Sequence, residues 1–289
     1  MPELPEVETI KNGLEKKVIN KIISKVWIEK SFAKKVSPNV KEFIKKLQGE
    51  KFKVVWRRAK LIIFDISNEL YLLVHLKMTG QLVYRPKSGK LVFGGHPIGK
   101  LKELPSKHTR VVFSFKDKTT LYFNDVRKFG FLKLVDDEGL AAEIEKYGLE
   151  PLDKEFTFKH FNYLLELRPG AKIKQFLLDQ KLISGLGNIY ADESLFAAEI
   201  KPLRRVHSLK SFEKELLFQE IKKILRKAIK LKGTSVSDYV NSEGGTGEFQ
   251  NHLKVYGQSG KLCKKCKKAK IAKIKLGGRS SSYCPVCQK

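Results

Sequence analysis

Apolar positions along the chain change period twice, and the two changes divide it into three stretches. Val7, Ile10, Leu14 and Val18 recur at helical spacing. Pro5 suits a first helical turn there, and Glu3, Glu6 and Glu8 suit the positive end of the helix dipole. From about residue 20 to 135 the pattern shortens. KIISKVWIEK, KFKVVWRRAKLIIFDI, ELYLLVHLKMTGQLVY, TRVVFSFKD and TTLYFND alternate or run as short β-branched and aromatic segments between Gly, Asn, Asp or Pro turns. That spacing predicts an antiparallel sandwich or barrel. The Gly-, Lys- and Pro-rich stretch from Pro86 to Pro105 predicts a longer, mobile connection.

Beyond Asp136 the helical period returns in LAAEIEKYG, TFKHFNYLLEL, KIKQFLLDQ, NIYADESLFAAEI and SFEKELLFQEIKKILRKAIKLKG. In the last of these Ser211 is the expected cap, and Gly233 the expected stop. Phe212, Leu216, Ile221, Leu225, Ala228 and Ile229 form the expected buried stripe. A Gly- and Ser-rich loop follows, 233–247, and no internal repeat is visible. The predicted class is α+β multidomain. An N-terminal β-sandwich with a leading helix spans 1–135, a helical domain 136–250, and a cysteine-bearing β-hairpin 251–289.

The chain has 289 residues with 42% hydrophobic content, enough to bury cores and too apolar for a disordered basic tail. No apolar run approaches the length of a membrane span. The start, MPELPEVETIKNG, has neither the basic beginning nor the apolar stretch of a secretory signal, so a soluble cytoplasmic protein is expected. Lys and Arg number 58 against 31 Asp and Glu, a net charge of +27. A polyanionic partner fits this charge, although a Lys-rich composition alone would also produce it.

The cysteines narrow the choice. Cys263, Cys266, Cys284 and Cys287 form C-x2-C, seventeen residues, C-x2-C, with no cysteine elsewhere. Two such knuckles brought together by a hairpin supply four thiolates, the closed tetrahedral shell of one structural Zn2+. Two disulfides in a secreted chain are the alternative, which the absence of a secretory signal disfavours. From Lys261 onward there are ten Lys or Arg and no acidic residue. Ile271, Ile274 and Leu276 suggest a strand, and Gly277-Gly278-Arg279 a turn with an arginine near its tip. The segment reads as a metal-stabilised ribbon offering positive charge to phosphate.

MPELPEVET at the start, QKLISGLGNIYADE in the middle and GGRSSSYCPVCQ at the end together resemble the bacterial formamidopyrimidine-DNA glycosylases, in that family's order and across essentially the whole chain. The resemblance implies a bifunctional repair enzyme. It would remove 8-oxoguanine and formamidopyrimidines from duplex DNA and cut the abasic strand by β,δ-elimination. It also implies a helix-two-turns-helix in the helical domain. The implied nucleophile is the α-nitrogen of Pro2 once Met1 is gone. An α-amine titrates near 7.7–8.0 and a lysine near 10.4, so far more of the former is free base at neutral pH. A secondary amine attacking C1′ of the sugar gives a fixed-charge iminium that acidifies the C2′ proton. Glu3 is the implied general acid; Glu6, in the same motif, is assigned mainly to structure.

By the same resemblance Lys60, in RRAKLII on a predicted strand, and Arg279 grip phosphates around the reacting sugar. Asn188, at the start of a helix after glycines, contacts phosphate, where a helix N-terminus attracts it. His75 is a possible further contact, with a buried strand histidine as the alternative, and Lys174 resembles a lysine near the lesion pocket. Met78, Arg127 and Phe129 are the implied wedge that fills the stack when the damaged base is extruded, with Arg127 facing the orphaned cytosine. The 233–247 loop resembles the segment that covers the extruded base. Two departures stand out: Val126 and Lys128 replace Pro and Arg in the family's D-P-R-R-F-G, and Ser281 stands where threonine is common. Damaged duplex DNA is the expected partner, with a monomeric protein, one structural zinc and no nucleotide cofactor. Two other readings remain: an endonuclease VIII-like enzyme for oxidised pyrimidines, which Leu4 and the ELPEVET continuation disfavour, and a non-catalytic zinc DNA-binding protein, which intact Pro2 and Glu3 disfavour.

Overall fold

The computed structural model describes residues 1–88, 91–95, 104–234 and 247–289. Parts of the expected Pro86–Pro105 connection and most of the 233–247 loop lie outside the described residues. The chain divides into two compact units. One comprises Met1–Glu145 with Lys232–Glu248, and the other Lys146–Leu231 with Phe249–Lys289.

The first unit opens with helix α1 (Leu4–Val18), followed by β1 (Ile23–Ile28), β2 (Val36–Ser37), α2 (Val40–Leu47), β3 (Phe52–Arg58), β4 (Leu61–Ile66), β5 (Tyr71–His75), β6 (Gly80–Arg85), β7 (Val92–Gly95), β8 (Thr109–Phe115), β9 (Thr120–Asp125), β10 (Phe131–Val135) and α3 (Asp137–Ile144). Two five-stranded sheets form, ordered β1-β8-β9-β6-β7 and β2-β10-β5-β4-β3. All neighbours are antiparallel except β10 and β2. Phe52, Phe64, Leu72 and Val74 from one sheet share a buried core with Val111, Phe113, Leu121 and Phe123 from the other. α1 packs on β3 and on β7, the edge strands of the two sheets. Its Val7, Ile10, Leu14 and Val18 enter the common core. Each such burial is worth roughly 1.5–3 kcal/mol, so packing rather than intrinsic propensity fixes where the helix begins.

Several elements escaped the sequence pattern. α2 interrupts the predicted β region; Asn39 caps it, accepting from Glu42 N–H at 3.0 Å, and Phe43 and Leu47 are its buried pair. β7 falls within the predicted long connection. Lys60, expected on a strand, sits with Ala59 in the two-residue turn joining β3 to β4, where Ala59 takes a φ of 53°.

The second unit contains α4 (Phe158–Glu166), α5 (Ile173–Leu178), α6 (Asn188–Ala197), α7 (Ser211–Lys230) and the hairpin of β11 (Ala272–Leu276) with β12 (Arg279–Tyr283). Phe156, Phe161, Phe176, Tyr190, Leu195, Leu217, Ile221 and Leu225 build its core. The α7 stripe differs from expectation. Leu217, Ile221, Leu225 and Ala228 are buried, whereas Phe212 is 64% exposed. Spacings of four, four and three residues hold one face, and Phe212, five before Leu217, falls off it. The helix starts after Lys210 rather than after a Ser211 cap.

Candidate nucleic-acid interface and catalytic residues

In the first unit Glu3 is the residue at which extended backbone turns into α1, with φ −101° and ψ −175°. Its N–H donates to Glu6 Oε2 at 2.8 Å, satisfying one of the donors that a helix start leaves open. The other oxygen of Glu6 accepts the Thr234 N–H at 2.8 Å. Glu6 therefore ties the chain that re-enters the β unit at Lys232 to the same helix start. Gly233 has a φ of 82°, and a Cβ there would lie 2.9 Å from Glu6 Oε1, so only glycine fits. Glu3 and Lys60 are buried, at 3% and 5% exposure. Arg57, on β3, donates from Nε to Glu8 Oε2 of α1 at 2.8 Å, linking the helix to the strand that leads into the Lys60 turn.

His75 closes β5 and is only 7% exposed. Its Nδ1 accepts the Lys77 N–H at 3.0 Å. Burial, and then the charges of Lys77 and Lys60, push its pKa down to about 3. The ring is neutral at ordinary pH, so it lacks the charge a phosphate grip would use. His75 is thus a buried strand-end histidine, and a phosphate contact by it would be a hydrogen bond from the neutral ring's N–H rather than an ion pair.

Two turns next to it carry the expected wedge. The β5–β6 turn holds Met78, 42% exposed, and the β9–β10 turn holds exposed Arg127 and Phe129, the latter 47% exposed. Both apolar side chains are therefore open to solvent rather than part of the core. The Arg127 guanidinium lies over the Phe129 ring, 4.4 Å from its centroid.

In the second unit α6 begins at Asn188, with Gly187 as its cap residue. The Gln180 side chain shapes the approach. It donates to Leu186 O at 2.8 Å and accepts the Gly185 N–H at 3.1 Å. Asn188 Oδ1 is buried and has no hydrogen-bond partner. The unmatched Asn188 oxygen thus stands at the first turn of this ten-residue helix, the end whose dipole attracts anions.

Lys174 is wholly buried and cannot reach a nucleic acid. Its Nζ donates to Asp192 Oδ1 on α6 at 2.6 Å and to Ser280 O on β12 at 3.0 Å. Ser281 Oγ donates to the same Asp192 oxygen at 2.8 Å, and Ser282 N–H to the other at 3.0 Å. Burial pushes the Asp192 carboxyl up, and the Lys174 charge with these donors opposes it. The lysine expected near the lesion is therefore a strut that fastens the hairpin to α6. Glu193, the next residue, accepts the N–H groups of Lys254, Val255 and Tyr256 at 2.9–3.1 Å. Neither role was legible in the sequence, because NIYADE reads as an ordinary helix.

The hairpin turn Gly277-Gly278 has φ of 57° and 74°, the left-handed pair that a two-residue hairpin requires. Arg279 follows it, exposed, on a shallow concave patch with Lys273, Lys275 and Ser280. The four cysteine sulfurs lie within 4.8 Å of one another, with Cys263 to Cys287 at 3.8 Å and Cys266 to Cys284 at 3.7 Å. Four sulfurs at about 2.3 Å from a central ion would stand about 3.8 Å apart, so the group fits a tetrahedral metal. Backbone N–H groups of Lys268 and Ala269 pull the Cys266 thiol down to about 6, while burial pushes Cys284 and Cys287 up. Among the described residues no helix is long and apolar enough to cross a membrane.

Comparison with known proteins agrees with this layout. Residues 1–132 match the family model for the formamidopyrimidine-DNA glycosylase N-terminal domain, and residues 147–240 the model for its H2TH domain. A formamidopyrimidine-DNA glycosylase of Carboxydothermus hydrogenoformans is 41% identical over 292 residues, covering all of both chains. One from Listeria monocytogenes is 40% identical over 291 residues, again covering both fully. Among solved structures, the Lactococcus lactis Fpg in complex with abasic-site DNA superposes with a TM-score of 0.86 at 36% identity, covering 99% of each chain. A variant of that protein in complex with Fapy-dG DNA superposes at 0.87 and 35%, covering 100% of each. With full-length relatives at this identity and both domain models matched in order, the chain belongs to the formamidopyrimidine-DNA glycosylase family.

Proposed function

We propose that this protein is a DNA repair glycosylase that excises oxidised purines, 8-oxoguanine and formamidopyrimidines, from duplex DNA and then cuts the abasic strand. The observation that carries this reading is the start of α1. Pro2 and Glu3 lead directly into a helix held by Glu6, whose second oxygen also fastens Thr234. Relatives named as formamidopyrimidine-DNA glycosylases, and solved complexes of one with abasic and Fapy-dG DNA, support it.

With Met1 removed, the Pro2 nitrogen is a secondary amine. It attacks C1′, the bond to the damaged base breaks, and the base leaves with a proton. Glu3 donates a proton to the sugar ring oxygen as the ring opens, leaving an iminium between Pro2 and C1′. Loss of the C2′ proton expels the 3′-phosphate, and a second elimination expels the 5′-phosphate. Water then releases the remaining sugar fragment and regenerates the amine. Lys60, Asn188 and Arg279 hold phosphates, and Met78, Arg127 and Phe129 fill the opened stack. Cys263, Cys266, Cys284 and Cys287 hold one Zn2+ in a closed thiolate shell that stabilises the ribbon without taking part in the reaction. A catalytic β module over 1–135, a helical module over 136–250 and the ribbon over 251–289 are part of the same reading.

Borohydride trapping tests it. Protein verified to start at Pro2 is mixed with a duplex carrying 8-oxoguanine opposite cytosine and reduced, and the cross-linked peptide is mapped. A link at the Pro2 nitrogen is expected. Trapping only with an oxidised pyrimidine would point to an endonuclease VIII-like activity. No trapping with either would leave a DNA-binding protein.

A further inference from the structure

Met78 and the Arg127–Phe129 pair come from turns 49 residues apart in sequence, yet a wedge works only if its parts keep a fixed spacing. The topology brings the turns close. β5 and β10 are neighbours in one sheet, β6 and β9 in the other, and the β5–β6 and β9–β10 turns cross between the sheets. Gly80 pairs with Asp125 where they begin.

One buried carboxylate joins them. Asp125 is 0% exposed. Its Oδ1 accepts the Thr79 hydroxyl, on the Met78 turn, and the Arg127 N–H at 3.2 Å. Its Oδ2 accepts the Gly130 N–H at 2.7 Å. Thr79 Oγ1 in turn accepts the Arg127 N–H at 3.0 Å. From behind, Arg110 Nε donates to the Asp125 carbonyl at 2.8 Å while its Nη1 donates to Glu29 at 2.6 Å. The carboxylate thus binds the residue after Met78 and brackets Arg127, Lys128 and Phe129 from both ends.

We propose that Asp125 is the positioning residue of the wedge: it locks the two turns into one rigid element, so that Met78, Arg127 and Phe129 enter the base stack together. This rests on the proposed glycosylase function and on the wedge assignment. A carboxylate is required because three donors converge on it; asparagine offers one accepting oxygen and an NH2 that opposes an N–H. Val126 leaves the backbone of this turn without a ring to hold it, which makes the side-chain lock the more necessary.

The test compares single-turnover excision of one lesion in two duplexes, opposite cytosine and opposite a tetrahydrofuran residue. Without a partner base, less energy is needed to extrude the lesion, so less depends on the wedge. Asp125→Ala is expected to slow excision opposite cytosine by roughly tenfold or more and opposite tetrahydrofuran by less than about threefold. Asp125→Asn should fall between Asp125→Ala and the parent. Should Asp125→Ala fail to fold, Thr79→Val removes the hydroxyl by which the Met78 turn reaches Asp125 and Arg127, and should give the same asymmetry. Equal slowing on both duplexes, or none on either, would overturn the proposal. Parent protein without excision would instead reject the glycosylase reading. Parent excision with no asymmetry in Met78→Ala and Phe129→Ala would reject the wedge, and the role of Asp125 with it.

Discussion

Glu3 holds a double position, as the last extended residue before α1 and as the proposed acid. Replacing it with glutamine keeps its size and the backbone N–H bond to Glu6. Glu3→Gln should therefore bind lesion DNA like the parent while base excision falls about a hundredfold or more, a loss typical of removing a general acid. A gel-shift assay paired with single-turnover excision measures both. His75 makes a different residue-scale prediction. Its unfolded-state pKa is near 6.5, and its native value is about 3. Between these limits the unfolded chain takes up a proton that the native chain refuses. The stability His75 contributes is thus complete above about pH 6.5 and drains away as pH falls toward 3. From pH 7.5 to 5.5 that loss is about 1.4 kcal/mol. His75→Gln should show a correspondingly flatter acid limb in urea unfolding at the two pH values. The sequence placed His75 on a strand, but its neutral state depends first on burial and then on the charges of Lys77 and Lys60, and that burial comes from packing no local pattern reveals.

At the level of elements, periodicity exposed whatever has a long period and hid whatever is short. α1 and α7 were legible because four or more apolar residues repeat along them, although the repeat alone misassigned Phe212. β2 is two residues long, and α2 offers a single buried pair, too little for a pattern to register. The candidate site divides in the same way. Pro2, Glu3 and the cysteines sit in contiguous motifs, while Asp125, Glu6 and Asp192 act through partners far along the chain. The Lys174–Asp192 strut carries the element-scale prediction. Asp192→Ala strands a buried ammonium and should destabilise the protein by about 3–5 kcal/mol. Lys174→Met combined with Asp192→Leu removes both charges and should cost less than Asp192→Ala alone, as chemical denaturation would show.

For the whole molecule, the charge of +27 leads to a prediction about salt. Affinity for duplex DNA should fall steeply and linearly on a log–log plot against salt concentration, and Arg279→Ala should lower the slope by about one. Fluorescence anisotropy across a salt series measures both. Cys263→Ser should weaken binding to a greater extent, since it loosens the whole ribbon rather than one contact.

Asp192 and Glu193 are adjacent, yet they face opposite ends of that ribbon. Glu193 clasps the chain on its way in, at 254–256, and Asp192 clasps it on its way out, at 281–282. Gln288 adds a further fastening, donating to Ile200 O at 2.8 Å. A chelator should accordingly open a bight of chain pinned at both feet, with the lysines of 261–275 laid out for trypsin. Cleavage there would leave the tail clinging to the body without a covalent link. The nicked protein would migrate whole on a native gel and part into two pieces only when denatured.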